Sequence, residues 1–458
     1  MDDMNLEQTG QQSIFKRLIT LSWPVTLAFI MRVGYQIVDI FWVGKLGATE
    51  VAAVSLAGNT FFIVLAVGQL IGSGTVTLVA QTFGARIIDR ANCIVRQALI
   101  LSVLTAFLVS ALGFLFSRDL VSLLGGTGAV LSLGTQYLKI LFIGFFFQLL
   151  SFSINYSFRG TGDMVTPMVL VFAATIVNMI LDPLLILGIG IFPKLGVRGA
   201  AVATIIGMLT SFVLGLVILV RGKSGLKLEL GKSWRLESSV VRTIMTVGTP
   251  ISVSYLLMGF TVMAAFRIVA SFSESAIAAM GIGVRILQFS TLPIVGIGIS
   301  TTTIVGQYFG ARDVPRARKT GATSMLLCTA IMLLFSVAFY VGAPFLIQIF
   351  LNEELVVQYG THYMHIAALY LVFIGLTTSM TGVLRGAGYT LPPMLAGLIK
   401  LAGLLLLAPQ FAYTFGIGLN GVWWAMFVAY GIETLIITLY YVTGKWRKVG
   451  LALLKNVT

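Results

Sequence analysis

Long apolar runs, separated by short polar clusters, dominate the chain. A helix needs about 20 apolar residues to cross a bilayer. By that measure the runs predict twelve membrane spans, at 17–43, 52–80, 94–116, 130–156, 165–187, 197–220, 243–269, 277–305, 320–347, 357–383, 391–414 and 419–443. The expected fold class is an all-α polytopic membrane protein with twelve transmembrane helices.

The pattern also repeats. QTFGARIIDRA at 81–91 returns as QYFGARDVPRA at 307–317, and RGTGDMVTPM at 159–168 returns as RGAGYTLPPM at 385–394. One constant offset, 226 residues from Gln81 to Gln307, also relates Pro24 to Pro250, Pro167 to Pro393 and Pro183 to Pro409. Constant spacing over so many positions marks a duplication. Each copy holds an even number of spans. Both copies therefore enter from the same side and are related by an axis along the membrane normal. The expected division is an N-lobe at 1–220, an inter-lobe linker at 221–242 and a C-lobe at 243–458. Two six-helix lobes suit alternating access. The paired prolines interrupt helix ladders, as fixed kinks or as hinges.

Composition agrees. Of 458 residues, 58% are hydrophobic and only 10% charged, too few charges to cover a soluble protein of this length. A net charge of +14 would suit nucleic acid, but position argues otherwise. Arg86, Arg90, Arg159, the basic run at 221–242, Arg312 to Lys319 and Lys445 to Lys448 share one side, while Lys45, Arg118, Lys194 and Arg198 fall on the other. This is the positive-inside asymmetry, and it predicts a cell-membrane protein with both termini cytoplasmic. No basic–aromatic platform calls for nucleic acid. Cys93 and Cys328 make no disulfide framework, and no Walker segment binds ATP. The start, MDDMNLEQTGQQ, lacks the basic opening of a cleaved signal peptide, so insertion is expected to rest on the first span.

Candidate chemistry starts at Asp39, inside YQIVDIFWVGKLG. A charge at membrane depth is costly and by default functional. The repeat supplies an internal control, because a scaffold residue should be polar in both copies. Asp39 instead pairs with Ala265, Asp182 with Ala408 and Asn178 with Leu404; with a four-residue gap in the last outer loop, Thr204 pairs with Met426. Tyr35 precedes Asp39 by four residues, as Asn178 precedes Asp182, so each pair shares a helix face. These side chains are expected to converge on one pocket in the outer half of the N-lobe. Two carboxylates in low dielectric resist double ionisation and can share a proton. The same oxygens, with Asn178 and Thr204, suit a hard cation such as Na+. Tyr35, Asn155 and Asn178 are candidates for a substrate cavity; Arg32 either modulates the pocket or faces lipid headgroups or solvent. His365, Lys400 and Glu433 fall near mid-span in the C-lobe, as a structural ion pair or a second proton or substrate site. His362 and His365 lie one turn apart but lack the acidic partner of an H-E-x-x-H metal motif.

At these residues the chain resembles the multidrug and toxic compound extrusion (MATE) family. The likeness runs through twelve spans, two lobes, VDIFWVGKLG, both FGAR loops and both RG-x-G segments, and looks closest to the DinF-like branch. The resemblance implies that Asp39, Asn178, Asp182 and Thr204, with Tyr35 beside them, form the N-lobe proton or cation site. It departs from the NorM-like pattern, because the seventh span carries Arg267 and no acid. It implies a monomeric secondary antiporter, not an enzyme, in contact with the bilayer and with small amphipathic, often cationic compounds. Inward H+ or Na+ flow would drive export with no other cofactor. A flippase for lipid-linked precursors is the alternative, kept open by Arg32, Arg267 and Arg285.

Overall fold

In the computed structural model the structure describes residues 13–58, 60–229, 231–232 and 234–457. The N-terminal stretch whose polarity bears on membrane insertion lies outside them. Among the described residues there is no strand. The helices are α1 (Ile14–Gly44), α2 (Ala48–Gly58), α3 (Phe61–Gly84), α4 (Ile88–Leu115), α5 (Ser117–Leu123), α6 (Gly128–Thr161), α7 (Val165–Leu187), α8 (Val197–Val220), α9 (Ser238–Val269), α10 (Glu274–Gly310), α11 (Val314–Gln348), α12 (Glu354–Gly386), α13 (Leu391–Pro409), α14 (Leu419–Val442) and α15 (Lys445–Val457). With α2 and α3 counted together over Ala48–Gly84, 12 helices among the described residues are long and apolar enough to span a membrane, which makes this a multi-pass membrane protein.

The helices outrun the expected spans because local chemistry, and not membrane thickness, sets their ends. α10 covers 37 residues and begins where the Ser273 side chain accepts from Ala276 N at 3.1 Å, a cap that satisfies one orphan donor. α11 begins likewise, Asp313 accepting from Arg316 N at 3.0 Å. α6 stops at Gly162, which takes a φ of 93° that a side chain would resist. α15 was not anticipated. Its Trp446 and Leu454 are buried, and the Trp446 indole meets the edge of Phe309 at 5.8 Å.

Contacts divide the chain into two compact units, whose edges differ from the linker-based division. Pro24–Gly248 form one unit, and the described residues before Pro24 group with Thr249–Lys455 in the other. The breaks therefore fall just before the repeat-related prolines Pro24 and Pro250. The reason lies in packing. Leu18 is buried among Ile304, Val305 and Phe309, and Arg17 donates a hydrogen bond to Gln307. In the other unit, the start of α9 packs so closely on α3 that a Cβ on Gly248 would run into the Leu70 carbonyl, and one on Gly74 into the Ile244 backbone. Small residues permit such helix approaches in membranes. The segment at 221–242 is clasped to the same unit, through Arg90 to Glu237 at 2.7 Å, Gln97 to the Arg235 carbonyl at 2.9 Å and Asn92 accepting from Lys227 N at 2.9 Å.

Candidate functional site

α1, α6, α7 and α8 of the Pro24–Gly248 unit bring the first set of candidates together. Tyr35 and Asp39 lie one turn apart on α1, Asn178 and Asp182 one turn apart on α7, and Thr204 on α8. Asp39 is 7% exposed, Asn178 3% and Asp182 0%. The Thr204 hydroxyl is the hub. It donates to the Ala200 carbonyl at 2.9 Å, spending its one hydrogen. It must then accept from the Tyr35 hydroxyl at 3.0 Å and from Asn178 Nδ2 at 3.4 Å. Asp39 and Asp182 lie within electrostatic range of each other, and Tyr35 of both.

What the carboxylates and the Asn178 amide oxygen lack is donors. Asp39 Oδ1, Asn178 Oδ1 and both Asp182 oxygens have no hydrogen-bond partner among the described residues. Buried acceptors without donors are expensive. A set made only of oxygens is relieved by a proton, which turns one acceptor into a donor, or by a hard cation. The residues fit either.

Tyr137 on α6 is the member that sequence reasoning missed. It is 4% exposed and lies within electrostatic range of Asp39, Tyr35 and Asp182. Its repeat counterpart is Tyr363, a tyrosine as well. A comparison built on differences between the copies passes over it.

Asn155 is buried and donates to Ser151 at 3.3 Å rather than to either acid. Arg32 is half-buried, within electrostatic range of Tyr156, Tyr35 and Arg159. In the second unit Lys400 and Glu433 form an ion pair at 2.8 Å. His365 rests on the Tyr340 ring at 4.5 Å. Among the described residues no group of three or more His, Cys, Asp or Glu is placed to hold a metal ion.

Two repeated six-span units, one of them holding buried acids whose oxygens lack donors, are the build of a membrane transporter, not an enzyme. The MatE family model matches residues 24–184 and 250–409, each match starting at one of the repeat-related prolines, and the chain belongs to that family. It is 26% identical over 446 residues to the probable multidrug resistance protein YoeA of Bacillus subtilis (strain 168), covering 96% of each chain. It is 25% identical to the multidrug export protein MepA of Staphylococcus aureus (strain NCTC 8325 / PS 47), covering 94% of each. A crystal structure of MATE in the bent conformation shares the fold at a TM-score of 0.89 and 22% identity, over 96% of this chain and 97% of that one.

Proposed function

We propose that the protein is a secondary antiporter. It works as a monomer in the cell membrane with both termini cytoplasmic, and exports amphipathic, often cationic compounds by alternating access. Inward proton flow drives it, with Na+ as the alternative coupling ion. The names of YoeA and MepA support multidrug efflux. One observation carries the coupling site: Asp182 is wholly buried with both oxygens unpartnered, in range of Asp39. The N-lobe location of these acids matches the DinF-like pattern and favours protons.

Asp39 and Asp182 take up and release the ion. Asn178, Thr204 and Tyr35 orient them, and Tyr35, Asn155 and Asn178 face the cargo. The ionised pair demands a cation or water. Once protonated, the acid gains a donor, which the Asn178 amide oxygen can accept. Pro24 removes a ladder hydrogen bond from α1, so a change of helix path there costs less than elsewhere. A differential of a few kcal/mol between protonation states is enough to shift a two-state population decisively.

The test is ethidium transport in vesicles under separately imposed proton and sodium gradients. Export driven by the pH gradient, and absent in Asp39→Asn at wild-type protein levels, is expected. Export driven by sodium alone would reassign the ion. Undiminished export by Asp39→Asn would overturn the coupling site.

A further inference from the structure

The ion pair of the second unit is built like a receptor for a cation. Lys400 on α13 sets its ammonium 2.8 Å from a Glu433 oxygen on α14. The same ammonium lies 4.7 Å over the ring of Tyr430, also on α14. Tyr430 is held in turn by Tyr370 of α12, stacked on it with centroids 4.7 Å apart and planes within 11°. Tyr370 continues through its hydroxyl to that of Tyr363 at 3.2 Å. A carboxylate beside a fixed aromatic face is the chemistry that recognises ammonium and phosphonium ions. In this structure the protein's own ammonium fills the place.

Packing does not require the pair. The repeat counterpart of Lys400 is Ala174, and across the four-residue gap that of Glu433 is Ser211, which shares only a 2.8 Å hydrogen bond with Ser151. At these positions the first unit carries no charge on α7 or α8, where the second joins α13 to α14 by an ion pair. A buried ion pair adds little stability over apolar packing, because desolvating both ions offsets their attraction. The side chains of Lys400 and Glu433 keep 10% and 11% of their surface exposed, so neither is sealed in.

We propose that Glu433 and Tyr430 form a binding site for organic-cation cargo, and that Lys400 is a tethered competitor occupying it between cargo molecules. The identity of the cargo rests on the export reading above. The lysine's flexible stem lets its ammonium withdraw toward water as cargo arrives. One cation then sits against Glu433 at every stage, and no bare carboxylate is left in the membrane.

Equilibrium binding of tetraphenylphosphonium to the purified full-length protein in detergent tests this without any gradient. The probe carries a fixed charge that proton transfer cannot remove. Removing the competitor in Lys400→Met is expected to tighten binding about tenfold, and Glu433→Gln to weaken it by about tenfold or more. Tyr430→Leu, which keeps both charges, is expected to weaken it as well. A Lys400→Met protein that binds no better than wild type overturns the proposal, as does undetectable binding in both. If Lys400→Met does not fold, the double variant Lys400→Met/Glu433→Leu decides. A merely structural pair would then recover both wild-type Tm and wild-type binding, whereas here Tm recovers and binding does not. Failure of gradient-driven export would leave these binding outcomes unchanged, so the two readings fail separately.

Discussion

In the first repeat, Asp39, Asn178 and Asp182 bury oxygens that have no donor among the described residues. In the second, the same helix positions carry Ala265, Leu404 and Ala408, each at most 1% exposed. They belong to an apolar core with Tyr363 and Trp423, whose rings meet at 4.8 Å. Trp423 stands where the first repeat has Ala201. The bundle therefore closes with small apolar residues and one large ring as well as it closes around carboxylates. The acids are not needed to fold it, and burying them is a cost. The pair Lys400 and Glu433, against Ala174 and Ser211, runs the other way. Each copy carries charge where the other has none.

The largest effect expected is on transport. Asp39→Ala installs the residue that the second repeat already uses, and should cut ethidium export at least about 100-fold while leaving detergent-solubilised Tm unchanged or higher. Asp182→Ala should match it, and the double variant should be no worse than either, as for members of one device. Independent, multiplying losses would split the site in two. Next comes Trp423→Ala. It empties the apolar counterpart and should cost about 3–5 kcal/mol of stability, read as a fall in Tm. An unaffected Tm would mean that the second core is not the packed equivalent of the first site.

The exchanged helix starts sharpen the contrast further. Gly248 corresponds to Ser22, whose hydroxyl donates to the Leu18 carbonyl at 2.6 Å. Gly248→Ser should lose about 1–3 kcal/mol through overlap with Leu70, and Ser22→Gly no more than about 1 kcal/mol. Equal losses would make the two starts equivalent. The smallest effect concerns arginines. Arg316 finds Asp313 within its own turn at 3.4 Å, whereas its counterpart Arg90 reaches Glu237 across 147 residues. Burial works against the Glu237 charge, but hydrogen bonds from Arg90 and Cys93 prevail and hold the carboxyl below the ordinary glutamate range. Such a group stabilises at neutral pH and ceases to do so as pH falls through its lowered folded value. Arg90→Gln should therefore cost no more than about 1 kcal/mol at pH 7, a difference that should vanish in Tm measurements taken well below about pH 4.

Much of the fold was legible because apolar length is a local signal. The repeat made more of it readable. Asp39 and Asp182 stood out against alanines, and the four-residue gap that aligns Thr204 with Met426 is matched by α8 and α14 starting at Val197 and Leu419 after glycines with φ of 58° and 65°. Tyr137 was hidden by the same method, since Tyr363 repeats it. The edges of the two units left no local trace, because Leu18 packs on residues far along the chain. α15 escaped because KWRKVGLALLKNV is too short and too basic to read as a span, although Trp446 and Leu454 fall on one helical face.

The contact from Arg17 to Gln307 bridges 290 residues, and that separation has a meaning in time. Chains grow at about 5–20 residues per second, so the start of α1 leaves the ribosome roughly 15 to 60 s before its partner exists. A nascent chain halted after the linker would leave its first unit still lacking residues 243–248 of α9, while the opening turns of α1 have nothing to dock on. Neither half of the gene therefore encodes a finished folding unit. Two halves made as separate polypeptides would each have to accept a piece of the other before either was complete.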